Sequence, residues 1–404
     1  MGRIGYFYSK IKKAWASGTL WDKSSRFLAI AVRRPFEVVI GYVRLPKADR
    51  NLNIKDGFAD HRQKTCHHKS DPEDLRRIIA AYKAAKEIQG RAAPPFQIRG
   101  LWEEWISVNY TPLIAALVAE DMKRLGELLE NLYREQFTIG TGGYDNYVRY
   151  HTLLGSAYIK YVWSCYRNKF LALDGALEQV RFPYIGNPTG IIVHDNVISI
   201  ETLRHAYHAV EMSELLKDLP EAVIVEIGGG LGGQAYQTVH MSGHGVAKYL
   251  VFDIPEVAAI SSYFLLSAFP DKRLRLFGEG PVCVAPQEGY DVAVFPHFAI
   301  GDLRDSSVDL CYNSCSFSEM DGPASREYLA VIERICRKYF LHENHDTVFK
   351  FKNADGSMSV NVIGSKLIPD PARFKRIFKK PRVYGLPEDR SFPFFEYLYE
   401  RIQK

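Results

Sequence analysis

The sequence predicts an α/β protein in which a doubly wound, mostly parallel sheet follows a mainly helical N-terminal region. Segments with strand and helix character alternate from about residue 219 onward, as in a parallel sheet with crossover helices. An apolar strand there runs directly into a turn with five glycines between Gly228 and Gly233. The preceding 150 residues carry mostly helical periodicity. A length of 404 residues allows two domains, or one large domain with an extension.

Residues 1–70 are predicted to form a basic arm and a polar linker. The first 50 residues contain 11 Lys/Arg against 3 Asp/Glu, whereas the whole chain has a net charge of only +5. The rest of the chain is therefore slightly acidic, which argues against nucleic acid as a partner. The apolar stretch at residues 27–45 is interrupted by charges and by Pro35, so it is not a transmembrane helix. It could rest on an anionic membrane surface, but a solvated or packed helix is the favoured interpretation.

The cysteines predict a reduced, cytoplasmic protein without a disulfide framework. Six of them are scattered through the chain without paired spacing. Near the end of the linker, His61, Cys66, His67 and His68 follow no standard zinc spacing, because adjacent His67 and His68 point in different directions. We do not predict a zinc site there.

Residues 71–218 are predicted to form a mainly helical domain. Asp71 and Pro72 are typical of a helix N-terminus, and apolar residues follow at helical spacing. Further helical pattern covers residues 102–137 and 146–173, with a flexible glycine loop at 139–143 that we interpret as a plain connection. Residues 191–198 indicate a short strand or hairpin, and residues 201–217 a helix whose polar side chains either face a substrate or are its solvated side.

Residues 219–404 are predicted to form the sheet domain. Its predicted strands are residues 223–227, 248–252, 290–295, 308–312 and 338–342. Helices are expected over residues 233–241, 257–268 and 323–338. Residues 382–384 and 394–401 are predicted to form an antiparallel pair at the sheet edge, with Phe395, Tyr397 and Tyr399 on one face.

The glycine turn is the most informative motif. Glycines at this position let the backbone bend tightly and let a ligand approach main-chain amides beyond a strand's carboxyl end. The spacing of Gly228, Gly230 and Gly233 also satisfies the dinucleotide fingerprint. Glu226, an acid two residues before the first glycine, favours a different cofactor, because a pyrophosphate at a helix N-terminus is poorly served by an adjacent carboxylate.

Three later strand ends supply further candidate residues. Asp253 follows the second strand and could accept hydrogen bonds from both ribose hydroxyls, or it could cap the next helix. His297 and Phe298 follow the third strand and could contact an adenine ring. The fourth strand turns abruptly polar after residue 312, where active sites of such sheets lie, and we therefore expect a site there.

Taken together, these motifs resemble a bacterial family of sugar O-methyltransferases, over residues 100–404. The resemblance is carried by the segments IGNP (185–188), RHAY (204–207), EIGGGLGG (226–233), DIPE (253–256), SFSEM (316–320) and FEYLYER (395–401). It implies a Rossmann-like class I methyltransferase sheet and S-adenosylmethionine as cofactor. In that class the acid before the glycines helps to hold the methionine end of the cofactor, and Gly228, Gly230 and Gly232 make room for it.

The resemblance also implies a sugar or glycan hydroxyl as acceptor and a general base near it. His345 and Glu319, each after a strand, are the candidate bases, and each could instead be structural. Asn187, Arg204 and Tyr207 are candidates for contacts to the sugar. Some sugar methyltransferases use a divalent metal, but no spacing in this chain requires one. The alternatives are a nicotinamide-dependent oxidoreductase that uses the same turn, and a catalytically silent scaffold.

Overall fold

The computed structural model describes residues 39, 43, 47, 52–64, 67–172, 179–193, 195–241, 246–285, 288–353, 356–382 and 393–403. Most of the basic arm, including residues 27–38 of its apolar stretch, lies outside these ranges, and so does Cys66. Membrane contact through the arm therefore stays a prediction. In the described part of the chain, no helix has both the length and the apolar character needed to cross a bilayer.

The first long helix, α1 (Pro72–Gln89), begins where the sequence predicts. The Asp71 side chain accepts a hydrogen bond from the Glu73 amide at 2.7 Å, and Pro72 occupies the first helical position. Leu75, Ile78 and Tyr82 are buried on one face of this helix.

The predicted helical stretch at residues 102–137 divides into several short helices. Pro112 at a helix start and the capping carboxylate of Asp121 each begin a new one. The helices of this region are α2 (Gly100–Asn109), α3 (Thr111–Val118), α4 (Met122–Leu129), α5 (Tyr144–Tyr150) and α6 (Leu153–Ala172).

A short hairpin and a long helix lead into the sheet. Strands β1 (Ile191–Val193) and β2 (Asn196–Ile198) pair antiparallel, as predicted. Helix α7 (Ile200–Leu216) follows, and Ser199 and Thr202 form a reciprocal capping box at its start.

Eight strands form the main sheet, in the order β11-β12-β8-β7-β3-β4-β6-β5. They are β3 (Ala222–Ile227), β4 (Val246–Asp253), β5 (Leu274–Leu276), β6 (Val292–Pro296), β7 (Val308–Ser314), β8 (Cys336–His345), β11 (Phe374–Pro381) and β12 (Phe394–Arg401). The connecting helices are α8 (Gly233–Met241), α9 (Pro255–Ala268) and α10 (Gly322–Ile335). Neighbouring strands from β5 to β8 are parallel, whereas β12 is antiparallel to both of its neighbours.

The chain builds the sheet outward from β3, first to one side through β4 and β6 and then to the other through β7 and β8. The strand order therefore reverses beside β3, and ligands bind at the carboxyl ends of the strands around such a switch point. The predicted fold class is confirmed. The chain has a Rossmann-like, mostly parallel sheet with an antiparallel strand near its edge, preceded by a mainly helical segment.

The sheet edge corrects one prediction. Strand β12 has the predicted bounds, and its antiparallel partner is β11, which ends at Pro381, just before the predicted segment. The Arg382 amide donates one further hydrogen bond to the Phe394 carbonyl, and residues 383–384 lie outside the described residues. The lysine-rich sequence of β11 hides its strand character, because this edge strand buries only Phe374 fully and its register shifts between Arg376 and Phe378. Strand β5 and the hairpin of β9 (Lys350–Lys352) and β10 (Met358–Val360) are three-residue strands that the sequence did not predict.

Apolar side chains cover both faces of the sheet. Alternate residues of β3 enter two clusters: Ile224 belongs to the cluster that α7, α8 and α9 share, and Val225 to the one beside α10. The first cluster also contains residues of α1 and α6, such as Ile78 and Val162. Because one core joins the helical segment to the sheet, the predicted boundary at residue 218 stays a prediction.

Candidate active site

The glycine turn lies at the carboxyl end of β3 and has the predicted conformation. Gly228, Gly230 and Gly232 all have positive φ angles, of 75°, 56° and 83°. A Cβ atom on Gly228 would lie 2.3 Å from the Ser316 hydroxyl oxygen, so no larger residue fits there. A Cβ on Gly230 would meet nothing closer than 3.9 Å, since this part of the turn borders open space.

That space is a cavity of about 200 Å³ between the turn, α7 and the carboxyl end of β7. The loop of Gly140, Thr141 and Gly142 forms another wall, so the segment interpreted as a plain connection contributes to the site. Its charged lining residues are Glu201, Arg204, Glu226 and Arg382. Ligand pockets of drug-sized molecules measure roughly 300–1,000 Å³. The cavity therefore suits part of a nucleoside cofactor better than the whole.

Glu226 sits beside the turn with 3% of its surface exposed. The Tyr249 hydroxyl donates a hydrogen bond to its Oε2 at 3.1 Å. Burial raises the pKa of Glu226 to about 8, against the opposing effects of this bond and of the Arg204 charge. The carboxyl is thus largely protonated at neutral pH unless a cation joins it.

Arg204 faces Glu226 from α7 across the cavity. Its Nε donates to Glu201 at 2.8 Å, its Nη1 to the Ser314 hydroxyl, and its Nη2 to His205 Nε2 at 3.1 Å. Burial, helped by the Arg204 charge, lowers the pKa of His205 to about 3, so this imidazole is neutral.

Two buried polar atoms without hydrogen-bond partners among the described residues indicate that a polar ligand fits this cavity. Because His205 Nε2 accepts from Arg204, the proton of the imidazole is on Nδ1. In the described part of the chain, neither His205 Nδ1 nor Gln234 Oε1 has a hydrogen-bond partner, and both residues line the cavity. A polar ligand would satisfy such atoms, which otherwise cost free energy.

Asp253 ends β4 on the other side of the turn. Its carboxylate accepts hydrogen bonds from the amides of Gly230 and Ile254, both at 2.8 Å. Burial raises the pKa of Asp253 to about 7. Helix α9 takes no side-chain cap from Asp253, because its N-cap position is Ile254. The capping alternative is therefore not realised, and Asp253 remains a candidate for the ribose.

His297 and Phe298 follow β6, but the cavity does not reach them. His297 Nε2 lies 2.5 Å from the Phe96 carbonyl oxygen, and the rings of Phe96 and His297 pack edge to face at 6.3 Å. Burial lowers the pKa of His297 to about 4. The turn Pro94–Phe96 thus covers the place predicted for an adenine ring.

Glu319 lies in the turn Ser316–Glu319 after β7 and is partly buried. The Trp102 indole donates a hydrogen bond to its Oε2 at 2.8 Å. Burial raises the pKa of Glu319 to about 7, and the carboxylates of Asp253 and Asp145 add to this effect. Glu319 does not line the cavity, and its partner Trp102 packs edge to face against Trp105 with ring centroids 5.2 Å apart.

The structure moves three predicted residues away from the cavity. His345 is buried between Phe349 and Phe394, its Nδ1 accepts a hydrogen bond from the Thr347 amide at 3.2 Å, and burial lowers its pKa to about 4. His345 does not line the cavity, and its role as a base stays a prediction.

Asn187 and Tyr207 likewise do not line the cavity, and both have partners within the protein. The Asn187 side chain is fully buried and bonds to Asp60, to Asn131 and to the amide of His61. Its φ of 59° fixes a turn. The Tyr207 hydroxyl bonds to Glu211 and Lys380 inside the protein. Sequence position alone did not reveal these partners, since most of them are distant in the chain.

The polar end of β7 is part site and part scaffold. Asn313 and Ser318 are buried in a hydrogen-bond network with Asn344 and the Ile227 carbonyl. These two polar residues therefore have a structural role. Ser314 and Cys315 line the cavity. Cys315 has a φ of 68°, an uncommon conformation for a residue with a Cβ.

Behind the cavity lies a group of buried ionisable side chains that we call the charged cluster. It consists of Glu201, Arg204, His208, Glu211, Glu343, Lys380, Arg382 and Glu396. Ligand atoms of His208, Glu343 and Glu396 lie within 4.8 Å of one another, a spacing that suits a metal ion. Lys380 is 3.0 Å from Glu396, however, and Arg382 is 2.9 Å from Glu343. Because cations already neutralise these carboxylates, we interpret the cluster as an ion-pair network.

Comparisons with known proteins found only distant structural likeness. No family model matches the chain, and no curated protein matches it. A 1,6-didemethyltoxoflavin-N1-methyltransferase from Burkholderia thailandensis is 14% identical, covering 49% of this chain and 79% of its own, with a TM-score of 0.30. A magnesium protoporphyrin IX methyltransferase from Synechocystis PCC 6803 is 11% identical over 50% and 82%, with a TM-score of 0.31. An S-adenosylmethionine dependent methyltransferase from Mesorhizobium loti is 14% identical over 49% and 98%, with a TM-score of 0.28.

Proposed function

We propose that the protein is an S-adenosylmethionine-dependent methyltransferase. One observation carries the proposal: a buried carboxyl, Glu226, and a guanidinium, Arg204, line the same small cavity beside a glycine turn. An α-amino acid is a zwitterion, and it needs an acid for its ammonium group and a cation for its carboxylate. The amino-acid end of the cofactor meets both requirements.

The same observation disfavours a nicotinamide dinucleotide. A pyrophosphate on the turn would bring negative charge beside Glu226 and close to Glu201, whose pKa Arg204 lowers to about 2 although burial opposes this. Such binding would hold Glu226 in its protonated form and would place a doubly charged anion near the ionised Glu201, which is unfavourable in a site of low dielectric constant. A sulfonium nucleoside with a free amino group carries no such penalty.

Three side chains have roles in the proposed reaction. Glu226 binds the ammonium group, and Asp253 accepts hydrogen bonds from the ribose. Glu319 takes the proton of the attacking hydroxyl, since a base with a pKa near 7 works best at neutral pH. The cofactor, when bound, supplies a methyl group activated on sulfonium. Transfer requires the acceptor oxygen about 3 Å from the methyl carbon, in line with the bond that breaks.

For the acceptor we propose a sugar hydroxyl. Trp102 and Trp105 are partly exposed and stand beside Glu319. Aromatic side chains bring a large apolar face with a polar handle, which suits the apolar face of a pyranose ring next to its hydroxyls. No wall of the cavity carries a run of basic residues, so nucleic acid is not the proposed acceptor.

Calorimetry on the purified full-length chain tests the cofactor. We expect S-adenosylhomocysteine to bind and to protect the protein from thermal unfolding, and NADH to do neither. Clean binding of NADH with no heat from S-adenosylhomocysteine would overturn the proposal in favour of an oxidoreductase.

Transfer of radioactive methyl groups from S-adenosylmethionine to nucleotide sugars and to a lipid-free glycan extract tests the acceptor. Unaltered cellular function in Gly230→Arg and Asp253→Ala strains would instead favour a silent scaffold.

A further inference from the structure

We infer that Glu343 is a positioning residue, which holds Arg204 so that this guanidinium can bind the carboxylate at the amino-acid end of the cofactor. The inference rests on the proposed function and assigns Arg204 to the cofactor rather than to a sugar. It depends on how the charged cluster is arranged around a single carboxylate.

Glu343 lies on β8 with only 1% of its side chain exposed, and three cations surround it. Arg382 Nε is 2.9 Å from its Oε1, Arg204 Nη1 is 3.8 Å from the same oxygen, and His208 Nε2 is 3.2 Å from its Oε2. Two of these cations, Arg204 and Arg382, line the cavity. Glu343 is therefore the anion shared by both guanidinium groups of the site.

Arg204 is held from two sides. On its own helix Glu201 lies 2.6 Å from its Nη2, and across the helix–sheet interface Glu343 attracts its Nη1. In the described part of the chain, the Ser314 hydroxyl accepts a hydrogen bond from Nη1, which carries two N–H groups. Because Arg204 also lines the cavity, the second N–H can bond to a ligand carboxylate there.

Charge balance explains why Glu343 is required. Four carboxylates of the cluster, Glu201, Glu211, Glu343 and Glu396, face Arg204, Lys380, Arg382 and His208. Removing one buried charge leaves its partners uncompensated, and they then rearrange toward other anions or water. Without Glu343, Glu201 is the one carboxylate in the described part of the chain that pairs with Arg204, and its neutral partners Ser314 and His205 hold the guanidinium less firmly in place.

The test compares two ligands that differ only at the amino-acid end. S-adenosylhomocysteine carries the carboxylate and ammonium groups, whereas 5′-methylthioadenosine has a methyl group in their place. Calorimetry is run on the full-length wild type, Glu343→Gln and Arg204→Gln, with Arg337→Gln as control. Arg337 forms an ion pair with Asp309 on the same sheet, outside the cavity lining.

We expect Glu343→Gln and Arg204→Gln to weaken the binding of S-adenosylhomocysteine about 10–100-fold, a loss of roughly 1.4–2.8 kcal/mol in binding free energy. The affinity for 5′-methylthioadenosine should change less than twofold. Arg337→Gln should change neither affinity. Equal losses for both ligands in Glu343→Gln, or no loss at all, would overturn the inference.

A second variant covers the case in which Glu343→Gln does not fold. Glu343→Asp keeps the charge and shortens its reach, so it should weaken S-adenosylhomocysteine by an intermediate factor without affecting 5′-methylthioadenosine. An unchanged ratio of the two affinities would count against the inference. If the wild type binds neither ligand, the proposed function itself fails. That result is distinct from one in which the wild type binds both ligands and the variants weaken them equally.

Discussion

The two halves of the proposed cofactor site differ in accessibility. At the amino-acid half, Glu226 and Arg204 border an existing cavity. At the nucleoside half, the Phe96 carbonyl oxygen contacts His297, at the place predicted for the adenine ring. Charged groups line the first half, whereas the helical segment covers the second.

This difference indicates that the two ends of the cofactor bind at different cost. A subsite that is already formed before binding needs little reorganisation. A covered subsite can bind its ligand only in the fraction of molecules in which the cover is displaced, and the apparent affinity falls by that fraction. We therefore expect the amino-acid end to contribute specificity and the nucleoside end to control the rate of binding.

The largest effect is expected from Glu319→Gln, because Glu319 is the proposed base and lies outside both halves of the cofactor site. The turnover number should fall about 10²–10⁴-fold, the range typical of general base catalysis. Affinity for S-adenosylhomocysteine should change less than twofold.

His345→Gln is the matched control and should keep wild-type turnover. In the wild type, kcat/KM should rise with pH through about 7 as Glu319 ionises, and this limb should vanish in Glu319→Gln. A loss of turnover in His345→Gln with none in Glu319→Gln would reverse the assignment.

Asp253→Asn sharpens the comparison from the nucleoside side. Hydrogen bonds to charged groups contribute about 1.5–3 kcal/mol, so affinity should fall roughly 10–100-fold. Because Asp253 serves the ribose, calorimetry should show similar losses for S-adenosylhomocysteine and 5′-methylthioadenosine. A loss of affinity for S-adenosylhomocysteine alone would mean that Asp253 contacts the amino-acid end of the cofactor and not the ribose.

The pH dependence of binding should separate the halves again. Burial raises the pKa of Glu226 to about 8 without ligand, so below that pH the ammonium group must displace a proton. Affinity for S-adenosylhomocysteine should rise with pH from 6 to 8, by at most about tenfold per unit. Glu226→Gln should reduce this slope to that of 5′-methylthioadenosine, whose binding depends on pH only through Asp253. A falling affinity over this range would contradict the role of Glu226.

Trp102→Phe should give the smallest effect. It removes the hydrogen bond to Glu319, worth about 1 kcal/mol, which stabilises the ionised carboxylate and lowers the pKa of Glu319. The pH at which kcat/KM rises should therefore move upward by about 0.7 units. An unchanged pH profile would mean that the Trp102 hydrogen bond does not act on the proposed base.

Local sequence patterns predicted the sheet and the turn well. Strand β3, helix α8 and strand β12 follow from apolar periodicity and glycine spacing, which act over a few residues. Edge strand β11 was misplaced, because exposed lysines do not follow the alternation of a buried strand. A strand with one solvated side at the sheet edge leaves a weak pattern in sequence.

The candidate site was harder to predict, since its side chains come from distant parts of the chain. Glu226 and Asp253 could be named because they lie next to a recognisable turn. Glu343 could not, because its cationic partners are on α7 and at Arg382. His345 follows a strand end as an active-site residue would, yet its ring is buried against Phe349 and Phe394.

The exposed lysines of β11 also bear on how the molecule behaves at high concentration. An open sheet edge is a template for pairing with another chain, and charged side chains or an irregular register prevent such growth. Lys375 and Lys379 are exposed on this edge, and the register shift lies between Arg376 and Phe378. The edge is thereby protected from self-association into extended sheets, and replacing these lysines by valine would make the protein prone to aggregation.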